Sequence, residues 1–241
     1  MGFIDHLEEL RWRLVKGFAA VIVATIGCAF FSDFIIEKIL IAPIRVASPN
    51  AKLQNLVPYG QLSLYLQAVV FSAVIIAFPV IAYQIWQFVR PGLMPKERKA
   101  SRFFVLFVSL CFFAGIAFGY FVFLPISLRF FASFGTALIE NNIAIGDYVS
   151  FFLSTVFTAG LVFELPMLSY VLSKIGFLTP AFMRHYRRHS IVAIFLLSAI
   201  ITPSTDMVTQ AVIAVPMLLL YEVSIWISGA VQKRREQEEA L

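Results

Sequence analysis

The residues with chemistry to offer are few, and most stand where their charge is out of place. Glu164 lies in Phe163-Glu164-Leu165-Pro166, inside an otherwise apolar stretch. A carboxyl there is a proton-titratable group, a polar anchor for a partner's segment, or a group paired with a neighbouring helix to fix packing. Asp206 and Gln210 are four residues apart, hence on one helical face. Asp206 either caps the helix that follows it or forms a polar patch with Gln210. Glu222, near the other end of the same apolar run, reads as an interfacial carboxylate. Glu8, Glu9 and Glu97 are acids in segments dominated by Lys and Arg. Either they neutralise adjacent cations, or they form a small acidic site for a basic ligand, since a carboxylate takes a guanidinium through two parallel hydrogen bonds.

Other chemistries are poorly supplied. His185 and His189 have a metal-compatible spacing but sit among Arg184, Arg187 and Arg188, so they read as a solvated basic face. No Gly-rich phosphate loop carrying Lys-Ser/Thr is present, which removes ATP hydrolysis, and no serine–histidine pair or paired intramembrane aspartates suggest a protease. The expectation is a protein that is not an enzyme, with no cofactor and no metal. Cys28 and Cys111 both lie in apolar runs and read as two small hydrophobic thiols rather than a disulfide.

The elements that must position these residues are apolar helices. Of the 241 residues, 60% belong to the apolar set and only 14% are charged, against 45–50% and about 25% in a soluble domain. A mean hydropathy of +0.87 makes lipid the solvent for much of the chain. Apolar blocks of about 20 residues, enough to cross a hydrocarbon core of about 30 Å, fall at residues 17–36, 62–86, 103–123 and 148–172, the third closed by Leu124-Pro125. The last block, broken at Thr202-Pro203, divides into two short spans at 189–202 and 206–227, followed by a tail at 228–241. Local bilayer thinning is expected at the fifth span. The segment Met1 to Lys16 is charged and amphipathic, with Phe3, Leu7, Leu10 and Leu14 on one side, and is expected to lie on the membrane rather than act as a cleavable signal.

Charge sets the orientation. With six spans, fifteen of the nineteen basic residues fall on one side, in the N-terminal segment, the loops after spans two and four, and the tail. Only Lys38, Arg45, Lys52 and Arg129 fall on the other. Cytoplasmic loops carry the excess of Lys and Arg, so both termini are expected inside. This distribution also accounts for the net charge of +5 without nucleic acid. The fold class expected is an all-α integral membrane protein, a single polytopic domain over residues 1–241, with six transmembrane helices and the last two spans short. The loops at 37–61 and 124–147 are expected to form short interfacial helices or caps, and no internal repeat is visible.

Read in order, the motifs resemble those of one family. The opening His6-Leu7-Glu8-Glu9-Leu10-Arg11-Trp12-Arg13 is similar to the N-terminal signature of TatC, the core subunit of the twin-arginine protein translocase. The resemblance continues through Ala42-Pro43, through Phe78-Pro79 to Gln87-Phe88 with Pro91-Gly92-Leu93, and through Lys96-Glu97-Arg98. It returns at Phe118-Gly119-Tyr120-Phe121 with Leu124-Pro125, at Phe163-Glu164-Leu165-Pro166, at Thr202-Pro203 with Asp206 and Gln210, and at Ala214-Val215-Pro216 with Leu220-Tyr221-Glu222. Ser204-Thr205 stands where members often have a shorter Pro-rich run, and Asp147 matches an outer acidic position only loosely.

The resemblance implies a receptor in the bacterial inner membrane. It would bind the Arg-Arg signal peptides of folded cargo and assemble with TatA- and TatB-type single-span partners, in a multimeric complex surrounded by membrane lipid. Export would draw on the proton-motive force. It further implies that Glu9 and Glu97 face the twin arginines and that Arg11, Arg13 and Phe88 shape the same surface. Glu164 would be the polar group in a concave membrane-facing wall, Asp206 and Gln210 would join a polar patch for partner contact, and Pro43 would shape the outer cap. A rival of another class is a proton-coupled small-solute transporter using Glu164 as its carrier.

Overall fold

The computed structural model describes residues 3–49, 52–89, 101–133, 142–201 and 207–239. Two compact units divide the chain: Met1–Leu110 with Leu128–Leu153, and Cys111–Ser127 with Ser154–Leu241.

In the first unit α1 (Phe3–Ala29) packs along α4 (Gly60–Val89). Their connection runs through the short α2 (Ser32–Phe34), a widened helical turn over Ile35–Leu40, and α3 (Ala42–Ala47). Tyr65, early in α4, donates its hydroxyl to Asp33 just past the end of α1, at 2.9 Å, so the two long helices run antiparallel. Pro43 is buried in the first turn of α3, where its missing N–H costs nothing and its fixed φ suits the helix. Next to it, the buried Tyr148 hydroxyl donates to the Leu40 carbonyl at 2.6 Å. The loop at 37–61 thus contains the expected short helix. It also contributes β1 (Lys52–Gln54), which pairs in parallel with β2 (Asn142–Ala144), Leu53 opposite Ile143.

The helix α5 (Ser101–Phe118) does not end at Leu124-Pro125 as the sequence suggests. It widens over Gly119–Phe123, where the Leu124 N–H reaches back to the Gly119 carbonyl, and continues as α6 (Leu124–Ser133). Pro125 has no N–H to give, and its ring would collide with a carbonyl four residues back in a regular helix; the wider turn makes room.

In the second unit the end of α7 (Ile145–Val162) is followed by α8 (Leu165–Lys174), α9 (Pro180–His185), α10 (Arg187–Ile201) and α11 (Met207–Glu239). The stretch expected as one fourth span is therefore two helices broken at Phe163-Glu164, because Pro166 leaves the Val162 carbonyl without its usual donor. Ser173 of α8 donates to Ser228 of α11 at 2.8 Å, both buried. The Tyr221 hydroxyl of α11 donates to the Met183 carbonyl of α9 at 2.8 Å.

Among the described residues, five stretches are long and apolar enough to cross a membrane: Leu7–Ala29, Gly60–Phe88, Phe104–Ser133, Ile145–Lys174 and Gln210–Arg234. At 15 residues, α10 reaches only about 22 Å. The helix that holds the expected final span at 206–227 is longer than that span, since α11 has 33 residues. Its tail, Ala230 to Glu239, is rich in Gln, Lys, Arg and Glu, good helix formers that carry the helix beyond its apolar part. Cys28 and Cys111 are both free thiols.

Candidate functional site

Two carboxylates dominate the polar chemistry, one in each unit. Glu9 lies in the third turn of α1 with Arg13 one turn on. The Arg13 Nε donates to Glu9 Oε1 at 3.0 Å, and the Arg13 Nη2 makes a second short contact to the same oxygen. The pair is largely covered, Arg13 at 20% and Glu9 at 22% side-chain exposure. Glu9 Oε2 is buried and accepts no hydrogen bond from the described residues. The carboxylate is thus oriented by its own helix through one oxygen and holds the other in reserve. Glu8 and Arg11 form a looser pair at 3.5 Å, both well exposed, and the Arg11 guanidinium lies 5.8 Å from the Trp12 ring.

Phe88 belongs to the same end of the first unit. It lies 23 residues beyond Tyr65 on α4, about 35 Å along the helix, which brings it level with the opening turns of the antiparallel α1. Two residues earlier Trp86 is buried, stacks on Phe104 at 3.7 Å between centroids, and leaves its indole N–H without an acceptor. Sequence reading passed over Trp86; its position beside Phe88, on the run that resembles the family, was the available signal. Glu97, the second expected acid of this site, lies outside the described residues.

Glu164 occupies the break between α7 and α8. Its backbone N–H bonds the Leu161 carbonyl at 3.1 Å, and its own carbonyl accepts from Leu168 at 2.9 Å, so the residue starts α8. Its Oε1 is buried with no hydrogen-bond partner. Close helix contact fixes the break from one side. A Cβ on Gly115 would stand 2.5 Å from the Ala159 carbonyl and 2.9 Å from Phe163 Cβ, and one on Gly160 would stand 2.7 Å from the Phe112 ring. Gly115-x-x-x-Gly119 facing Ala159-Gly160 is the small-residue spacing that lets membrane helices approach; it was legible in the sequence and went unread. Beside Phe163 lies a small apolar cavity of about 20 Å³, lined by Phe118, Thr155, Ala159, Ile213 and Met217 among others. The Thr155 hydroxyl is buried without a partner.

Gln210 does not stand free. Its Nε2 donates to the Phe195 carbonyl at 2.9 Å, tying α11 to α10; Asp206 lies outside the described residues. Glu222, expected as a simple interfacial group, instead pairs with Arg187, whose Nε donates to Oε1 at 2.6 Å with a second short contact through Nη2. The carboxylate holds the Arg187 guanidinium above its usual range, through the hydrogen bond first and charge second.

Among the described residues no group of three or more His, Cys, Asp or Glu is arranged to hold a metal ion.

Comparison with known proteins converges on one family. The profile described as "Sec-independent protein translocase protein (TatC)" matches residues 5–216. A Sec-independent protein translocase protein TatC from Aquifex aeolicus is 37% identical over 243 residues, covering 100% of both chains. One from Helicobacter pylori is 36% identical over 234 residues, covering 97% of this chain and 90% of its own. A crystal structure of the twin-arginine translocase receptor TatC superposes with a TM-score of 0.82 at 37% identity, over 94% of this chain and 99% of that one. A second, in the detergent DDM, gives 0.83 at 36% identity, over 92% and 99%. The chain therefore belongs to the TatC family and is a multi-pass protein of the inner membrane.

Proposed function

We propose that this chain is the signal-peptide receptor of a twin-arginine translocase, reading the Arg-Arg motif of folded cargo at its cytoplasmic face. The observation that carries the reading is Glu9: a covered carboxylate with one oxygen oriented by Arg13 and the other buried and unengaged. An incoming guanidinium can take that second oxygen, and a charge-assisted bond in partly desolvated surroundings is among the stronger polar contacts available. Glu97 supplies the second carboxylate for the second arginine, while Arg11, Arg13 and Phe88 shape the surface and set the approach.

The topology proposed with it has six spans in one polytopic domain, both termini in the cytoplasm, and the loop around Pro43 as the outer cap. The positive-inside distribution of the basic residues supports that orientation. Glu164, with its unpartnered oxygen at a helix break beside an apolar cavity, is the contact for single-span TatA- and TatB-type partners. Gln210 of α11 and Asp206, which lies outside the described residues, belong to a second polar patch for partner contact. Assembly into a multimeric receptor and use of the proton-motive force belong to the same proposal.

The test is site-specific crosslinking of an Arg-Arg signal peptide to membranes holding wild type or the Glu9→Ala, Glu97→Ala double variant. Crosslinks should vanish in the variant while its amount in the membrane stays the same. Undiminished crosslinking would sink the proposal. A proton-coupled solute carrier would instead show uptake by the purified chain alone in liposomes, lost in Glu164→Gln.

A further inference from the structure

The segment joining α8 to α10 has a charge pattern the signal-peptide reading does not use. Lys174, Arg184, Arg187 and Arg188 lie within fifteen residues, and no Asp or Glu occurs anywhere from Leu165 to Thr205. One acid reaches the cluster from outside: Glu222 of α11, which is committed to Arg187 by two contacts. Arg184 and Arg188 are exposed, and no ion pair in this segment neutralises them among the described residues.

Between these cations the apolar side chains point outward. Phe177 is 81% exposed and Phe182 54%. Phe182, Tyr186 and His189 form a run of ring contacts, Phe182 to Tyr186 at 4.6 Å and Tyr186 to His189 at 5.6 Å. Exposed aromatic rings interleaved with Arg and Lys at the mouth of apolar helices mark the membrane–water interface. The helix that follows is the short one. On the six-span topology proposed above, α10 is a crossing helix of about 22 Å against a hydrocarbon core of about 30 Å, so the leaflet would thin around it and bring headgroup phosphates toward the residues at its first turn, Arg187 and Arg188.

We propose that this face, built from the α8–α9 turn, α9 and the first turn of α10, is a binding site for anionic phospholipid, with Arg184 and Arg188 on the headgroup phosphate and Phe177 and Phe182 seated among the acyl chains. Charge complementarity selects the occupant. A face with two exposed arginines, Arg184 and Arg188, and no acid of its own attracts an anionic headgroup, and its outward aromatic rings need an apolar medium that an acidic soluble peptide does not provide. Bound lipid would anchor the thin edge of the protein that α10 creates.

The test is native mass spectrometry of the full chain, released from detergent after titration with cardiolipin or with phosphatidylethanolamine. Wild type should retain cardiolipin well above phosphatidylethanolamine. Arg184→Gln with Arg188→Gln should lower the retained cardiolipin by about fivefold for each arginine removed. The charge-matched control Lys233→Gln with Arg234→Gln, on the tail of α11, should behave as wild type, and size-exclusion profiles of both variants show whether they stay folded. Equal retention of the two lipids by wild type overturns the proposal. So does an equal loss in both double variants, or an acidic soluble peptide that displaces cardiolipin from wild type at matched charge.

Discussion

Glu9 and Glu164 are both carboxylates in a chain that has few, and they are held in opposite ways. Glu9 sits on an unbroken helix and is paired with its own Arg13 through one oxygen. Glu164 sits where a helix is broken by Pro166, with no ion pair among the described residues and one oxygen buried without a partner there. On the function proposed, the first arrangement would orient a charge for a ligand arriving from water, and the second would hold a polar group among apolar side chains for another protein segment to satisfy. The backbone treats the two acids differently, regular at one and interrupted at the other.

The sharpest way to break this comparison is to disturb the close packing that sets the Glu164 break. Gly160→Leu would drive a side chain into the Phe112 ring, which a Cβ alone would approach to 2.7 Å. The expected cost is about 3 kcal/mol, read as a large fall in the thermal midpoint in detergent. Glu164→Gln sharpens the contrast from the other side. Removing an acid whose Oε1 has no partner should leave the isolated protein as stable or stabilise it by about 1 kcal/mol, while capture of single-span partners falls. Glu9→Gln gives up a covered, oriented pair and should cost about 0.5–1 kcal/mol, so the two substitutions should move stability in opposite directions. The smallest effect belongs to Glu222→Gln. Its pair with Arg187 is 52% and 38% exposed, and such pairs often contribute nothing measurable, so the midpoint should not shift.

Part of this was legible because charge is conspicuous in an apolar sequence. Glu9 and Glu164 stood out by being acids among cations and among hydrocarbons, whereas the break at Pro166 was not expected within the span at 148–172. Other features were hidden for definite reasons. Pro125 reads as a stop, yet a single widened turn carries the helix past it. The β1–β2 pair joins three-residue segments nearly ninety positions apart, too short for periodicity to reveal. The length of α11 escaped because spans were read from hydropathy, which ends where its charged helix formers begin. The pairing of Glu222 with Arg187 spans 35 positions, and nothing local predicts it.

Most directly, the central claim that Glu9 reads arginine is tested by equilibrium binding of two fluorescent signal peptides, identical except for Arg-Arg or Lys-Lys, to wild type and to Glu9→Gln. The planar fork of donors on a guanidinium, against the strongly hydrated point charge of an ammonium, predicts that wild type prefers Arg-Arg by about tenfold, and that Glu9→Gln loses most of this preference. A preference of the same size in both proteins would contradict the account.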